Sequence, residues 1–409
     1  MEKRIAASLI SWLAGTMTAH AQSAVTLYGI LDEGLTYVNS AQTGRSSGKL
    51  SGASQVALSD GHTTGLAGSR WGLRGTEDLG SGLQANFVVE NGFMANTGTL
   101  AQGGAEFGRQ AYVGLSNELG ALTLGRQYDP LITFVQPFAA AGTWAGYIGS
   151  HADDVDNLSN TNRTNNAVKF TSATYKGFRA SAMYSFGGVA GSATQNQIWS
   201  VAASYTGAPL AFGIGYLNAR DPNVSFYGDT PNKGSAAANN IGSAGSAAVS
   251  ENNPAYAGYA SAKSLQIVGA GASYTLGDAI VGLVLTNTRF EGMGSPSGPN
   301  PLGYSGSAMF TSVDLNGRYR ITPMLQFAMG VDYIARSSVK GDGGAKYMQI
   351  NAAVDYSLSK RTDLYVLAAA QRASGTDSLG QSAVASIAGF NPSATNKQVA
   401  FRLGVIQRF

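Results

Sequence analysis

The chain has 409 residues, of which only 12% are charged, and a formal net charge of +3 at pH 7. It contains no cysteine, which excludes a disulfide framework, and so small a charge gives no indication of nucleic-acid binding. Its 54 glycines and 19 tyrosines are spread along the whole length without a linker, so we expect one large β domain instead of several soluble domains.

The first residues have the three parts of a secretory signal peptide. A charged start precedes an apolar run from Ile5 to Met17, and Ala19-His20-Ala21 provides the small residues of a cleavage site. We therefore expect residues 1–21 to be a cleaved signal peptide and residues 22–409 to be the mature domain. Cleavage would change the charge count from 27 minus 24 to 25 minus 23, a net charge of +2.

Alternating apolar and polar residues predict β-strands along the rest of the chain. The alternation is clearest at 325–333 and 347–356, whereas 265–272 and 280–285 are apolar or small on both faces, which leaves their facing unassigned. In chain order, sixteen strands are predicted near residues 24–38, 66–76, 82–95, 105–116, 120–128, 163–175, 178–187, 198–206, 209–219, 263–276, 278–290, 308–321, 324–337, 344–358, 361–373 and 396–409.

Two kinds of connection alternate between these strands. Seven very short turns, among them 77–82 and 322–323, contain the Gly, Pro and Asx residues of tight reversals. Opposite them are long connections rich in Ser, Ala, Gly, Asn and Thr. The most notable long connections are predicted at 39–65, 129–162, 220–262, 291–307 and 374–395.

This asymmetry predicts an all-β fold, a 16-stranded antiparallel transmembrane β-barrel with short periplasmic turns and long extracellular loops. A soluble sandwich also has alternating strands, but it does not place short turns on one side and long loops on the other. A backbone that crosses lipid must hydrogen-bond internally, and strands achieve this only in a closed sheet. Sixteen strands also leave room for an aqueous channel.

Basic residues cluster on predicted inward faces early in the chain. Arg70 and Arg74 share one strand face, Arg109 opens another strand, and Arg163 shares a face with Lys169. Two like charges 4 Å apart repel by about 4 kcal/mol at an effective dielectric of 20, so such a cluster requires a wet site. A water-filled lumen provides one, and a wall of this kind favours passing anions.

An alternative is that these arginines are ordinary lumen residues, each paired with a carboxylate. The carboxylates expected to point inward are Asp32, Glu90, Asp314, Asp332 and Asp355.

The connection 129–162 contains large apolar residues that a solvated loop would not need, including Phe134, Phe138 and Trp144. We therefore expect this third long loop to fold into the barrel and narrow the channel. Its acidic candidates for the constriction are Asp129, Asp153, Asp154 and Asp156.

Four short motifs carry a family resemblance: VTLYG at 25–29, SRWGLRGTEDLG at 69–80, FGRQAYVGL at 107–115 and LGRQY at 124–128. Together they resemble the general diffusion porins of Gram-negative bacteria, of the β-proteobacterial outer-membrane type. The resemblance implies an outer-membrane barrel, usually a homotrimer, whose inward third loop carries acidic residues that face a basic wall. By motif position, the basic wall corresponds to Arg70, Arg74, Arg109 and Arg163.

The chain departs from this family pattern at two places. Ile30 stands where the family often has a basic residue, and residues 136–142 read QPFAAAG where members commonly carry Pro-Glu-Phe-Gly-Gly. The missing glutamate favours anion selectivity. At the other end, the terminal Phe409 shares its parity with Phe401 and Leu403, which resembles the signal read by the outer-membrane assembly machinery.

These observations predict a cell outer-membrane porin, a water-filled channel for passive diffusion of small hydrophilic solutes and ions with an anion preference. We expect no cofactor and no nucleic-acid partner, and contact with outer-membrane lipid and lipopolysaccharide. Glu33 lies on the same face as Leu31 and Leu35, and a carboxylate facing lipid is unfavourable, so a neighbouring subunit is expected to cover it.

Two other functions are open to the sequence, and a third is not expected. A substrate-specific channel for a small anionic solute or sugar is one, although Tyr28, Tyr347 and Tyr365 are too scattered for an aromatic sugar path. An adhesin or structural barrel is another. An enzyme is not expected, because His62 and His151 lie in predicted loops without catalytic or metal-ligand spacing.

Overall fold

The computed structural model describes residues 24–46, 49–227, 240–241 and 253–409, so the predicted signal peptide and parts of the 220–262 connection lie outside the described residues. Within them, seventeen strands form one antiparallel sheet that closes on itself. The strands are β1 Ala24–Ser46, β2 Lys49–Asp60, β3 Arg70–Gly80, β4 Leu83–Gly92, β5 Gln110–Asn117, β6 Gly120–Gln127, β7 Thr164–Ser172, β8 Phe178–Ser185, β9 Ile198–Gly207, β10 Leu210–Arg220, β11 Ser264–Leu276, β12 Ala279–Met293, β13 Gly306–Arg320, β14 Leu325–Arg336, β15 Ala345–Ser357, β16 Thr362–Gly375 and β17 Lys397–Arg408.

Strands β2 and β3 share one position in the barrel, because both pair with the same edge of β1. The first half of β1 pairs with β3, from Ala24 opposite Thr76 to Ile30 opposite Arg70. Its second half pairs with β2, beginning at Glu33. Seventeen strands minus this one shared position leave sixteen positions around the barrel. The prediction of a closed sixteen-stranded antiparallel barrel is therefore confirmed.

The loop predicted at 39–65 is wrong, because β1 continues to Ser46 and β2 begins at Lys49. Polar and small residues occupy both parities of most of β2, and only Val56 and Leu58 on the outer face alternate with Ala57 and Ser59, so the alternation is too short to predict a strand. The chain then leaves the sheet at residues 61–69. This segment includes the short helix Gly61–Thr64, whose N-cap is Asp60.

The other predicted strands agree with the structure to within a few residues. Seven short turns join strands at one end of the barrel, and the long connections lie at the other end. The sheet closes between β1 and β17, with Ile30 opposite Arg408 and Val38 opposite Ala400. Gly29 and Phe409 extend this seam by exchanging two backbone hydrogen bonds of 3.0 Å.

The outer face of the barrel is apolar. In β14, Met329 and Tyr333 are 53% and 41% exposed, whereas the intervening Asp332 is fully buried. Leu35, Ile214 and Leu403 are exposed in the same way on other strands. A water-soluble protein buries such residues, so this belt matches a hydrocarbon environment. No helix in the described part of the chain is long and apolar enough to cross a membrane.

Candidate pore constriction

Residues 128–163, named loop 3 here, lie along the inner wall of the barrel. Loop 3 begins with the helix Pro130–Val135, and the side chain of Asp129 caps the helix by accepting a 3.2 Å hydrogen bond from Ile132 N. Leu131 and Phe138 then pack onto glycines of β10 and β11. A Cβ atom at Gly215 would lie 2.9 Å from Leu131, and one at Gly271 would lie 2.8 Å from Phe138. The inner wall is thus shaped to receive the loop.

The second part of loop 3 is fixed by hydrogen bonds to the opposite side of the barrel. These bonds join Ala140 N to Asp314 (2.8 Å), Trp144 Nε1 to Asn316 (3.3 Å), Tyr147 N to Gly65 O (2.9 Å) and Gln349 Nε2 to Ile148 O (2.9 Å). Loop 3 therefore crosses the interior from β10 to β15 and contacts the 61–69 segment. The geometry agrees with the predicted inward fold of this connection.

The basic residues predicted for the wall lie on the inner faces of β3 and β7 and beside β4 and β5. Arg70 and Arg74 are paired with Ile30 and Thr26 of β1, on the face opposite the exposed Leu27. Arg74 is exposed, Arg70 and Lys169 are half-buried, and Arg109 and Arg163 are buried. We call this set the basic wall: Arg70, Arg74, Arg109, Arg163 and Lys169.

Two aromatic residues and one carboxylate organise the basic wall. Arg109 Nε donates to Glu90 Oε1 at 2.7 Å, and Arg109 Nη2 donates to the Tyr128 hydroxyl at 2.8 Å. The guanidinium groups of Arg109 and Arg163 each lie 5.9 Å from the Tyr128 ring centre, within the range of cation–π contacts. Lys169 Nζ donates to Tyr128 O at 2.8 Å. Tyr128 therefore contacts three members of the wall.

Tyr28 makes the equivalent link for the exposed arginine. Its hydroxyl donates to Glu90 Oε2 at 2.9 Å, and the guanidinium of Arg74 lies 5.4 Å from its ring centre. No carboxylate of the described residues lies within salt-bridge distance of Arg70, and its Nε donates to Gly68 O at 2.9 Å. Within the described residues, the alternative of individually paired arginines thus describes Arg109 but not Arg70.

The carboxylates beside the basic wall do not neutralise it. Glu90 pairs with Arg109, and Asp129 interacts electrostatically with Lys169. The five members of the basic wall less these two acids have a net charge of +3. These positive charges also act on the nearby His62. Burial, followed by the charges of Arg163, Arg109 and Arg70, lowers the pKa of His62 to about 3. His62 is therefore neutral at ordinary pH.

The four aspartates of loop 3 all accept hydrogen bonds from the protein, two of them from other segments and two from loop 3 itself. Asp153 accepts from Ser386 Oγ (2.6 Å) and Ala255 N (3.2 Å), which belong to other long connections. Asp154 accepts from Ser159 N at 2.8 Å, within loop 3 itself. Asp156 accepts from Thr286 Oγ1 of β12 at 2.6 Å, and Asp129 caps the helix described above.

The aspartates of loop 3 are largely buried, so they add little charge to the exposed surface of the loop. Asp129, Asp154 and Asp156 are at most 3% exposed, and Asp153 is half-buried. Burial raises the pKa of Asp129 to about 6 and that of Asp153 to about 7. Burial and the charge of Asp156 raise the pKa of Asp154 to about 7. The exposed residues of loop 3 are uncharged, and they are Thr133, Pro137 and Gly142.

Three contributors to this site were not assigned a role from the sequence. Tyr128 is the last residue of the LGRQY motif, and its place in that motif is the sequence feature that could have indicated a role at the site. His62 lies in the helix within residues 39–65, which the sequence predicts to be a loop. No local sequence pattern therefore indicates that His62 approaches the arginines. Glu90 was expected to point inward, but its pairing with Arg109 depends on the register between β4 and β5.

A closed barrel with an apolar outer belt, an inward loop and a basic interior wall defines a class of protein: the pore-forming transmembrane β-barrels. The comparison with protein families specifies that class. Residues 6–376 match the family described as Gram-negative porin. The chain therefore belongs to the Gram-negative porin family, whose members are outer-membrane proteins.

Curated relatives share part of their sequence with the chain. An outer membrane porin protein of Bordetella pertussis is 40% identical over 192 residues, covering 44% of this chain and 47% of the relative. Outer membrane porin protein 32 of Delftia acidovorans is 34% identical over 218 residues, covering 51% of this chain and 55% of the relative. The chain thus spans about half the length of these relatives.

Solved structures share the fold over nearly the whole chain. An anion-selective porin from Comamonas acidovorans has a TM-score of 0.66 and 22% identity, covering 95% of this chain and 100% of that chain. The outer membrane protein OmpT of Vibrio cholerae has a TM-score of 0.63 and 14% identity, covering 96% of this chain and 100% of that chain.

Proposed function

We propose that the protein forms a water-filled outer-membrane channel for passive diffusion of small hydrophilic solutes and ions, with a preference for anions. The observation that carries this proposal is the net positive charge of the basic wall, together with a loop 3 whose exposed residues are all uncharged. A fixed positive wall lowers the free energy of a passing anion and raises that of a cation. The similar protein of Comamonas acidovorans is described as anion-selective, which agrees with this reading.

Conductance in planar lipid bilayers tests the channel activity. Purified mature protein is added to one side, and single steps are recorded over a range of salt concentrations. General diffusion predicts steps that grow in proportion to salt concentration. Block of the current by one added solute, at saturating concentration, would indicate a substrate-specific channel instead. The absence of steps from correctly folded protein would contradict the proposal and favour a structural role.

Among the described residues, Tyr28, Tyr347 and Tyr365 do not form an aromatic path for a sugar, so they do not support the substrate-specific alternative. Tyr347 and Tyr365 are at most 1% exposed, so neither presents a ring to a passing solute, and Tyr28 is engaged with Glu90 and Arg74. We propose no catalytic role, because the family is one of channels.

We also propose that the protein functions as a homotrimer surrounded by outer-membrane lipid and lipopolysaccharide. The Oε2 atom of Glu33 has no hydrogen-bond partner among the described residues, although Leu31 and Leu35 on the same face are exposed. A neighbouring subunit would cover this face. OmpT of Vibrio cholerae, which shares the fold, has been solved in a trimer form.

Export and insertion complete the proposal. Residues 1–21 would direct secretion, and the terminal Phe409, which is 49% exposed beside Gly29, would be read by the outer-membrane assembly machinery. Deletion of Phe409 should reduce the amount of folded barrel in the outer membrane of cells while leaving refolding in detergent intact. Unchanged insertion in cells would contradict the assembly role.

A further inference from the structure

Two aspartates face each other directly inside the barrel beneath loop 3. Asp314 of β13 is paired in register with Asp332 of β14, and their exposed fractions are 1% and 0%. Like charges directly opposite on neighbouring strands destabilise a sheet. Burial makes this worse, because water cannot screen the two carboxylates. This cross-strand pair therefore requires a compensating positive group.

Loop 3 brings a histidine to the pair. His151 is 4% exposed, and its Nδ1 atom lies 2.5 Å from Asp156 Oδ2. Its Nε2 atom points the other way and lies 3.9 Å from Asp314 Oδ2. One donor atom from each of His151, Asp314 and Asp332 lies within 4.8 Å of the other two.

Protein groups leave two of these buried atoms unsatisfied. Asp314 accepts from Ala140 N and Asn316 Nδ2, both at 2.8 Å, so each of its oxygens has a partner. Asp332 accepts from Asn351 Nδ2 through Oδ2 alone, and in the described part of the chain its Oδ1 has no partner. His151 Nε2 has none either. Buried polar atoms without a partner are uncommon and costly, and these two belong to residues whose donor atoms lie within 4.8 Å of each other.

We propose that His151, Asp314 and Asp332 bind one divalent transition-metal ion of the Zn²⁺ type, which fastens loop 3 to β13 and β14. One imidazole nitrogen and two carboxylates form a ligand set that Zn²⁺ accepts. Asp156 lies against His151 Nδ1, and metal-bound histidines usually donate their other ring nitrogen to such a carboxylate, which fixes the orientation of the ring. Three carboxylates against one histidine also leave a negative charge that a divalent cation offsets.

The fit requires only a small closure of the site. Zn²⁺ bonds of about 2.0–2.2 Å in a tetrahedral site place ligand atoms about 3.4 Å apart, so ligand atoms that lie within 4.8 Å of one another would approach by at most about 1.4 Å. The proposal concerns the anchorage of loop 3 and stands apart from the channel activity, since either can fail while the other holds.

Zinc titration of the mature protein tests this site. Protein refolded in detergent after EDTA treatment is titrated with ZnCl₂ at pH 8 by calorimetry, because binding displaces ligand protons and strengthens as pH rises. We expect one Zn²⁺ per chain by elemental analysis and a higher unfolding temperature. Asp332→Asn or His151→Gln should weaken binding by at least about tenfold. His151→Gln changes only the loop, so it remains informative if the strand variant fails to fold.

Matched substitutions elsewhere provide the controls. His62→Gln and Asp278→Asn, the latter on an exposed turn, should bind Zn²⁺ as the wild type does. Equal binding by the wild type and Asp332→Asn would overturn the proposal. So would a wild type that binds no Zn²⁺ while Asp332→Asn raises the unfolding temperature of the metal-free protein, because a shared proton would then satisfy the aspartate pair.

Discussion

Arg402 of β17 and Asp32 of β1 form a fully buried ion pair across the seam that closes the barrel. Arg402 Nη2 lies 3.0 Å from Asp32 Oδ1, and both side chains are 0% exposed. The hydroxyl of Tyr365 donates to the same aspartate, and Arg402 also donates to Thr64 of the 61–69 segment at 2.7 Å. One charge pair thus joins the first strand, the last strand and the inward segment.

Removing one member of this pair should strongly destabilise the barrel. Arg402→Met leaves Asp32 buried without its countercharge, and such a loss typically costs about 3–5 kcal/mol. The double variant Asp32→Asn with Arg402→Met should be clearly more stable than the single one, because no uncompensated charge remains. Urea unfolding in detergent, followed by the heat-modifiable mobility of the folded barrel on gels, measures both.

The nearby pair of Arg408 and Asp363 provides the control. The side chain of Arg408 is 42% exposed and that of Asp363 is 9% exposed, so Arg408→Met should cost clearly less than Arg402→Met, whose pair is fully buried on both sides. If Arg402→Met and Arg408→Met had equal effects, the seam pair would have no special role in closure.

Arg74 should contribute directly to ion selectivity because it is the exposed member of the basic wall. A unit charge about 7 Å from a permeating ion in water changes its energy by about 0.6 kcal/mol, or roughly threefold in its partitioning. Arg74→Ala should therefore reduce the anion-to-cation permeability ratio severalfold, and Arg74→Glu should reduce it further. Arg361→Ala, on an exposed short turn, is the matched control and should leave the ratio unchanged. An unaltered ratio in Arg74→Glu would remove this residue from the conduction path.

The stability of the barrel should decrease as the pH falls from 6.5 toward 3 because of His62. The pKa of His62 is lowered to about 3 in the folded protein, while an unfolded histidine titrates near its ordinary pKa of about 6.5. Between these values the unfolded chain binds a proton that the folded chain does not, so acid favours unfolding. Urea midpoints between pH 7 and 5 should fall less steeply for His62→Gln. Parallel curves for the two proteins would show that His62 titrates normally.

Glu33→Lys should weaken association between subunits. A carboxylate at the proposed subunit contact would be replaced by a longer cation, while the fold of each barrel would persist because Glu33 Oε2 has no partner among the described residues. Semi-native electrophoresis should show monomers in place of trimers. Glu118→Lys, on an exposed short turn, should remain trimeric. Trimers in both variants would place the interface elsewhere.

Sequence alternation predicted the strands well wherever one face meets lipid and the other meets water. It left 280–285 unassigned, and the structure shows why. Val281 and Leu283 are exposed on the outer face, while Val284 is fully buried on the inner face near loop 3. The inner face here packs against an apolar loop instead of water, so both parities are apolar. At β2 only Val56 and Leu58 form an apolar outer stripe, and residues 49–55 before them are mostly polar or small and exposed, so the alternation is too short to predict a strand.

The candidate site likewise has residues that the sequence predicts and residues that it does not. Arg70 and Arg74 were assigned to one inward face because strand periodicity fixes the relation between residues two and four positions apart. His151, Asp314 and Asp332 have no such relation. Their proximity depends on where loop 3 crosses β13 and β14, and no local spacing rule reports a contact between residues so far apart in the chain.

The zero-current potential of the wild-type channel in a KCl gradient tests the central claim most directly. If the basic wall controls permeation, the potential will have the sign of chloride preference, and it will decrease as salt screens the arginines. A potential with the sign of potassium preference would contradict the account.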